Sequence, residues 1–314
     1  MRTGRHRDHD DDGWRVSATL VTPTERRVAS AAVLGSAALF GTSGTARVLL
    51  QPTAPAAGAA AARLIVGAAG LVAWASRTAD GREALVRLWR RPIIWAMGAT
   101  VAAYQIFFFL SMSRTGVAVG TLASLALTPF MAGILGWVMR EGAPGYVWLV
   151  STVLAITGVT LLTIGAGDRR DVLGIAFGLA AGASYAFYTV FGVRFAREGE
   201  QPTNVLAASF AVSGVLLVPV FIMSGTWWMS WSSLVLILWL GLATTTVAYV
   251  LFGMGLRALQ PGHIATLNLA EPVFATLLGV FVLGESLGSL GILGCALVII
   301  GLGVLGISEG RSAV

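Results

Sequence analysis

Residues 261–285, PGHIATLNLAEPVFATLLGVFVLGE, decide the fold class of this chain. The stretch is long and apolar enough for a membrane-crossing helix, yet it carries a carboxylate, Glu271, part-way along. A charged side chain inside hydrocarbon costs about 2.5–3.5 kcal/mol on insertion scales, so such a residue is by default a functional-site hypothesis. Pro272 removes the next backbone donor, which predicts a local break in the helix. We therefore expect a functional site at a broken membrane helix.

The same pattern occurs earlier, in residues 114–141, RTGVAVGTLASLALTPFMAGILGWVMRE. Pro129 is the predicted helix break of this copy, and it lies 143 positions before Pro272, close to half of the 314 residues. Arg114 precedes Pro129 by 15 positions, and Arg257 precedes Pro272 by the same 15. Two copies of one unit, each with a broken helix, are typical of transporters built from repeats.

The composition is that of an integral membrane protein. The chain is 56% hydrophobic and 11% charged, whereas a soluble domain carries about 25% charged residues. Its net charge of +6 comes from arginine, because the sequence has no lysine. These arginines lie in short loops between apolar runs, which argues against a nucleic-acid partner. The single cysteine, Cys295, lies in an apolar run, so no internal disulfide can form.

Ten apolar runs of about 20 residues are each long enough to cross a hydrocarbon core of roughly 30 Å. They are residues 30–50, 55–76, 92–112, 117–139, 146–166, 171–193, 204–224, 232–255, 263–283 and 288–307. Outside these spans we expect residues 1–28 to form a disordered tail and residues 308–314 to form a short one. An even number of spans places both tails on the same side of the membrane.

Arginine placement orients the ten spans. If the amino terminus is inside, 16 of the 21 arginines fall in inside segments and three fall in outside segments. The other two, Arg47 and Arg63, lie within spans. Because positively charged residues are enriched in cytoplasmic loops, the sequence predicts a multi-pass protein of the cell membrane with both termini cytoplasmic.

The two copies have opposite orientations in this prediction. The first covers residues 29–166 and the second residues 171–307, and each contains five spans. An odd number of spans makes the second copy enter the membrane from the opposite side. The predicted fold is therefore an all-α integral membrane protein with ten transmembrane helices, arranged as two inverted five-helix repeats.

Both copies resemble the repeat of the EamA family, in the drug/metabolite transporter superfamily, over about residues 30–307. The matching runs extend from Thr128-Pro129-Phe to Arg140-Glu141 and from Glu271-Pro272-Val-Phe to Leu283-Gly-Glu285. The resemblance implies an exporter of small metabolites, amino acids or drugs, often driven by an ion gradient, for which protons are the candidate here. It also implies a central cavity lined mainly by spans 1, 3, 4, 6, 8 and 9. One departure is that the first copy has Thr128 where the second has Glu271.

Glu271 is the first candidate for a substrate-binding or coupling residue. At 1.5 Å per residue it lies roughly 12 Å from the cytoplasmic end of its span. Asn268, three residues earlier, shares its helix face, and His263 lies nearer the inner mouth. One interpretation is a site for a proton or a cationic substrate. The alternative is structural, with Glu271 capping broken backbone or pairing with an arginine beside Pro272.

Arg63 is the one charge deep in the second span, roughly 12 Å from its outer end. It is a candidate for binding a substrate carboxylate, and the alternatives are a structural pair or snorkelling to the surface. The sequence leaves open whether Arg63 meets Glu271. Polar residues of spans 3, 6 and 8 are further candidates, either as cavity lining or as interhelical hydrogen bonds: Tyr104, Gln105, Tyr185 and Tyr249.

The sequence carries no P-loop, no metal-binding spacing of His or Cys, and no Ser/His/Asp set. We therefore expect no cofactor and no enzymatic activity, and we expect a secondary transporter that works by alternating access. The alternative class is a membrane-embedded enzyme or lipid-handling protein that uses Glu271 and His263 as an acid/base pair. The expected partners are a small-molecule substrate and the lipid bilayer. Glycines in span 10 permit close helix packing, which leaves monomer and homodimer both open.

Overall fold

The computed structural model describes residues 22–126, 128–138, 146–165, 171–258, 267–268 and 270–312, and within these residues the chain is helical and contains no strand. The helices are α1 Pro23–Leu50, α2 Ala56–Ala75, α3 Ala79–Trp89, α4 Pro92–Thr115, α5 Val117–Ala126, α6 Thr128–Val138, α7 Tyr146–Gly165, α8 Val172–Arg197, α9 Pro202–Met223, α10 Trp231–Leu238, α11 Ala248–Ala258, α12 Ala270–Phe281 and α13 Ser289–Ser312. A nine-residue π-helical segment, Trp239–Val247, joins α10 to α11.

Six of the described helices are long and apolar enough to cross a membrane. They coincide with the predicted spans 1, 2, 3, 6, 7 and 8, and the last of them runs through the π-helical segment from Trp231 to Gly255. The other four predicted spans fall on described helices outside this set of six: α5 with α6, α7, α12, and α13. The chain is thus an all-helical membrane protein.

Both ends of the described chain are more helical than we expected. The predicted tail reaches residue 28, but α1 begins at Pro23 because Thr22 and Glu25 form a capping box. The Thr22 side chain accepts a hydrogen bond from the Glu25 amide, and the Glu25 carboxylate accepts one from the Thr22 amide. Such a box satisfies two amides that the helix start would leave unpaired. At the other end, α13 continues to Ser312, beyond the predicted boundary at residue 307.

The helix packing pairs elements of the first half with elements of the second. Helix α2 packs against α9, and α7 packs against α13. Helix α4 of the first half packs against α8 of the second, and the corresponding contact is that of α1 with the π-helical segment and α11. Helices α5 and α6 pack against α8, and the corresponding contact is that of α12 with α1. Each of these contacts thus has a counterpart with the two halves exchanged.

Glycines permit the closest of these approaches. A Cβ atom at Gly67 of α2 would lie 2.5 Å from Thr245 Cγ2, and one at Gly241 would lie 2.5 Å from Val66 Cβ. A Cβ atom at Gly158 of α7 would lie 2.7 Å from the carbonyl oxygen of Gly294 in α13. Small residues therefore bring α2 against the π-helical segment and α7 against α13, as in other membrane helix pairs.

Candidate functional site

Arg63 lies in the middle of α2 and is 4% exposed. Its Nε donates to Thr245 Oγ1 at 3.0 Å, and its Nη2 donates to the carbonyl oxygen of Thr244 at 2.9 Å. Thr245 Oγ1 donates in turn to the carbonyl oxygen of Leu240 at 2.9 Å. Arg63 is therefore anchored to the π-helical segment and does not snorkel to the surface. Its Nη1 makes no hydrogen bond to any described residue.

Glu271 lies in the first turn of α12 and is partly buried. Gly41 of α1 creates the space for this turn, because a Cβ atom there would lie 3.1 Å from the Glu271 carbonyl oxygen and 2.8 Å from Phe274 Cβ. The Glu271 carboxylate lies within electrostatic range of the Arg63 guanidinium. The two groups do not form a direct ion pair, since no oxygen of Glu271 lies within 4.0 Å of a nitrogen of Arg63. The carboxylate also accepts no hydrogen bond from the described residues.

Tyrosines from three helices complete this region. Tyr104 of α4 and Tyr249 of α11 are each 8% exposed, and Tyr185 of α8 is partly buried. All three phenol groups lie within electrostatic range of Glu271. The rings of Tyr104 and Tyr185 are 5.1 Å apart between centroids. The hydroxyl groups of Tyr104 and Tyr249 make no hydrogen bond to the described residues.

An aromatic path links these tyrosines around the site. Tyr185 lies 5.9 Å from Tyr188, which lies 6.4 Å from Phe210 of α9. Phe210 meets Tyr249 at 4.8 Å, and Tyr249 meets Phe40 of α1 at 5.0 Å, both edge to face. Edge-to-face pairs of this kind hold ring orientations. The path therefore packs Tyr185 and Tyr249 against three further aromatic side chains, from α1, α8 and α9.

Gln105 and Asn268, two further predicted site residues, each carry a buried oxygen without a partner. Gln105 of α4 is 1% exposed, and its Oε1 has no hydrogen-bond partner. Asn268 is partly buried, and its Oδ1 is also unpartnered. Unsatisfied buried polar atoms are costly, so each such atom calls for a ligand, a water or a conformational explanation. Both residues stay candidates for contact with a polar solute.

The predicted helix breaks at Pro129 and Pro272 stay predictions, because each lies close to a position outside the described residues. The chain is helical over 117–126 and over 128–138, which contains Pro129. It is also helical over 267–268 and over 270–281, which contains Pro272. Residues 127 and 269 and the candidate His263 lie outside the described residues.

The sequence analysis missed the π-helical segment that anchors Arg63. Residues 244–246 are three consecutive threonines, and their hydroxyl groups bond to carbonyl oxygens four or five residues earlier. Local hydrogen bonds of this kind compete with regular α-helical pairing, so the threonine run was a readable signal. π-Helical turns occur frequently at functional sites.

Glu285 is a second residue whose role was missed. It follows α12 and reaches across to the start of α5, where its carboxylate accepts hydrogen bonds from the amides of Val117 and Ala118 at 2.5 and 2.9 Å. A carboxylate at a helix N-terminus satisfies unpaired amides and complements the helix dipole. Glu285 therefore fixes the end of α12 to the start of α5.

Chemically, the region offers a cationic donor, a carboxylate and two phenol groups, each with unused hydrogen-bonding capacity. Such a set suits a small solute that carries both a negative and a positive or donor group. Among the described residues, no group of three His, Cys, Asp or Glu side chains could hold a metal ion. The arrangement therefore supports the binding of a small polar solute.

Comparisons with known proteins agree on one family. A sequence model of the EamA-like transporter family matches residues 172–307. The Uncharacterized transporter YwfM from Bacillus subtilis is 36% identical over 277 residues, which cover 87% of this chain and 92% of that protein. The Threonine/homoserine exporter RhtA from Salmonella typhimurium is 29% identical over 261 residues, covering 81% of this chain and 83% of RhtA. A solved structure described only as "Crystal structure of protein" has a TM-score of 0.64 at 21% identity, covering 91% of this chain and 99% of that one.

Proposed function

Because this chain belongs to the EamA-like transporter family of the drug/metabolite transporter superfamily, we propose that it is a secondary transporter that exports small organic solutes by alternating access. The relatives are named as transporters, which favours transport over the alternative of a membrane-embedded enzyme. The name of RhtA makes amino acids the first solutes to test.

The observation that carries the proposal is the unused bonding capacity between α2 and α12. Arg63 Nη1, the Glu271 carboxylate and the hydroxyl groups of Tyr104 and Tyr249 have no hydrogen bond to the described residues, although they lie within electrostatic range of each other. Groups that only stabilised the fold would be paired. We assign them to substrate binding or coupling, together with Tyr185, Gln105, Asn268 and His263.

An inverted repeat is the architecture that we propose for this site. The helix contacts occur in pairs related by exchange of the two halves, which is what two copies of one five-helix unit would produce. The family match to residues 172–307 is also nearly coextensive with the proposed second copy. The proposed copies cover residues 29–166 and 171–307, and they would rock against each other around the site. Monomer and homodimer both fit this scheme.

Proton coupling completes the proposed mechanism. Glu271 would bind a proton when the site faces one side of the membrane and release it, in exchange for the solute, when the site faces the other. Arg63 and the tyrosines would hold the solute. Because Arg63 is tied to the π-helical segment, movement of that segment would carry the cation with it.

Transport by the purified protein tests the proposal. The full chain is reconstituted into liposomes loaded with a labelled amino acid, and efflux is followed with and without an imposed pH gradient. We expect efflux above that of protein-free liposomes, accelerated by the gradient and abolished by a proton ionophore. Screening of further amino acids and small amines follows if threonine is not moved. Protein that binds none of these solutes and moves none of them would contradict the proposal.

The proposed orientation has its own test. Reporter fusions after residues 85, 197 and 311 should all report a cytoplasmic position. A signal from the outer side of the membrane at residue 85 or 197 would contradict the orientation or the number of spans.

A further inference from the structure

The exposed side of α3 and the two residues that join it to α4 line a shallow, open cavity of about 660 Å³. Its lining consists of Arg82, Glu83, Val86, Arg87, Arg90 and Arg91. Helix α3 is amphipathic, because Gly81, Ala84 and Leu88 are buried against the protein and the cavity residues lie on the opposite side. Since α3 connects two membrane-crossing helices, α2 and α4, it lies at the membrane surface.

The four arginines of the cavity keep most of their donors free. Arg87 uses Nε and Nη2 on Glu200, at 3.2 and 2.8 Å, and Arg91 uses Nη1 on Glu198 at 2.9 Å. Arg82 uses Nη1 on the carbonyl oxygen of Ser76. Arg90 is exposed, and its guanidinium makes no hydrogen bond to the described residues. Since a guanidinium carries five N–H donors, these contacts hold the side chains in place without saturating them.

The charge balance of the cavity favours an anion with a single negative charge. Glu83 is its one acidic lining residue, against four arginines. Glu200 and Glu198, paired with Arg87 and Arg91, bring the balance to one net positive charge, and Asp80 in the first turn of α3 is matched by the exposed Arg77. A phosphodiester suits this balance, because its oxygens accept the paired donors of arginine without bringing more than one charge.

Exposed apolar side chains on α3 and on the flanking helices favour a position of the cavity near the lipid headgroups. Val86, inside the cavity, is 58% exposed. Trp74 and Trp95 are 41% and 39% exposed, and the Arg77 guanidinium lies 4.1 Å above the Trp74 ring. Tryptophan is enriched where hydrocarbon meets headgroups. A soluble anion would make no use of these exposed apolar surfaces, whereas a phospholipid would.

We propose that this cavity binds the headgroup of an anionic phospholipid, with the phosphodiester held by Arg82, Arg87 and Arg90 and the glycerol and upper acyl chain against Val86. The lipid would belong to the cytoplasmic leaflet, a placement that rests on the proposed orientation. Basic segments next to membrane helices are attracted by the anionic lipids of that leaflet. The bound lipid would hold α3, and with it the connection between α2 and α4, at the membrane surface.

The experiment measures thermal unfolding of the full chain in a neutral detergent, with phosphatidylglycerol, phosphatidylcholine or inorganic phosphate added. We expect phosphatidylglycerol to raise Tm by roughly 2–4 °C, and the other two additives to leave Tm unchanged. The Arg82→Gln/Arg90→Gln variant should lose this rise. Arg26→Gln/Arg27→Gln is the matched control, because it removes two arginines near the start of α1 and should keep the rise.

Three outcomes would overturn the proposal. Equal loss of the rise in both double variants would mean general attraction between charges. An equal rise with inorganic phosphate would mean a free anion site. An unchanged rise in Arg82→Gln/Arg90→Gln would place the lipid elsewhere. If that variant does not fold, the single variant Arg90→Gln and lipid counting by native mass spectrometry decide the question. Since no readout involves transport, Glu271→Gln should keep the lipid effect, which separates this proposal from the proposed function.

Discussion

In the proposed repeat, Thr128 of α6 and Glu271 of α12 occupy equivalent positions, but their hydrogen bonding differs. In the first half, Thr128 Oγ1 lies 3.3 Å from the carbonyl oxygen of Ser124 and 3.4 Å from that of Gly182 in α8. In the second half, Glu271 lies against Gly41 of α1, and its carboxylate has no hydrogen bond to the described residues. The threonine is thus accommodated within the protein, while the carboxylate is left available. We infer that Thr128 supports the structure, whereas Glu271 carries the proposed chemistry.

Arg63 shows the same asymmetry in the opposite half. An offset of 143 to 145 positions takes Arg63 of α2 to Leu206, Ala207 and Ala208 of α9, which are buried and apolar. Arg63 is bonded to the π-helical segment of span 8. The corresponding span of the first half is α4, which is a continuous α-helix from Pro92 to Thr115. In the proposed repeat, Arg63 and Glu271 each lack a charged counterpart in the other half. The repeat would supply the scaffold, and departures from it would mark the site.

The largest expected effect follows from removing the second-half carboxylate. Glu271→Gln keeps the size and hydrogen-bonding capacity of the side chain and removes its charge. We expect this variant to fold and insert, but to lose solute efflux driven by a pH gradient, down to the level of protein-free liposomes. The measurement is gradient-driven efflux in proteoliposomes, with thermal unfolding as the check on folding.

The matched control changes the equivalent position of the first half. Thr128→Val removes a hydroxyl group that already has partners within the protein, so efflux should continue at a rate close to that of the unmodified protein. If Thr128→Val abolished efflux as completely as Glu271→Gln, the two breaks would be functionally equivalent. Unchanged efflux and pH dependence in Glu271→Gln would refute the coupling role.

The second effect concerns the anchor of Arg63. Arg63→Gln removes two charge-assisted hydrogen bonds to the π-helical segment, each worth about 1.5–3 kcal/mol, and removes the cost of burying a cation. We expect a net loss of roughly 2–4 kcal/mol in the free energy of unfolding. Arg47→Gln is the control, since the Arg47 guanidinium makes a single hydrogen bond to the described residues, to the carbonyl oxygen of Ala54, and its loss should cost less.

A double variant shows whether the two charges interact. If Arg63 and Glu271 stabilise each other across the site, Arg63→Gln/Glu271→Gln should be more stable than the sum of the single losses predicts, by about 0.5–3 kcal/mol. Strict additivity in thermal unfolding would mean that the charges act independently. That result would remove Arg63 from the proposed mechanism and leave Glu271 in it.

The membrane-spanning helices and the candidate site differ in how well the sequence predicts them. Apolar length predicts spans well, because a helix in lipid must satisfy its own backbone, and spans 2 and 7 agree with α2 and α9 to within two residues at each end. The charge of Glu271 and Arg63 was equally visible, because charge within an apolar run is rare. These signals are local, so they need no knowledge of packing.

The geometry around these charges was not predictable in the same way. That Arg63 bonds to Thr244 and Thr245 depends on the rotation and depth of two helices 180 residues apart in the chain, which no local pattern encodes. The π-helical segment changes the side-chain register by part of a turn, so an α-helical projection misplaces the residues around it. The reach of Glu285 to the start of α5 likewise depends on tertiary contact.

The third effect tests the close approach beside Glu271. In Gly41→Ala the added Cβ atom would meet Phe274 Cβ at 2.8 Å and the Ala275 amide nitrogen at 3.1 Å. Since backbone cannot yield as a flexible side chain does, we expect a loss of about 1–3 kcal/mol and slower efflux. The measurements are thermal unfolding and the efflux rate.

Gly192 of α8 is the control for Gly41. A Cβ atom there would meet nothing within 4 Å, so Gly192→Ala should be neutral or stabilising by about 0.5–1 kcal/mol, through the helix preference of alanine. Equal destabilisation by the two variants would show that loss of glycine itself, and not the contact with α12, is responsible.

The smallest effect lies outside the membrane, at the start of α8. Asp171 Oδ1 accepts a hydrogen bond from the Gly174 amide at 2.8 Å, and Oδ2 accepts one from Arg114 Nε at 2.7 Å. The Gly174 amide, with a smaller contribution from Arg114, lowers the pKa of Asp171 below its usual value. A carboxylate with a lowered folded pKa contributes stability above its unfolded pKa, about 3.9, and loses it as the pH falls through the folded pKa.

Asp171→Ala should therefore lower Tm slightly at pH 7, and the difference from the unmodified protein should shrink below about pH 4. Arg114→Gln should lower Tm less, because it leaves the Gly174 hydrogen bond in place; a larger fall in Arg114→Gln would make the ion pair, and not the helix cap, the main contribution.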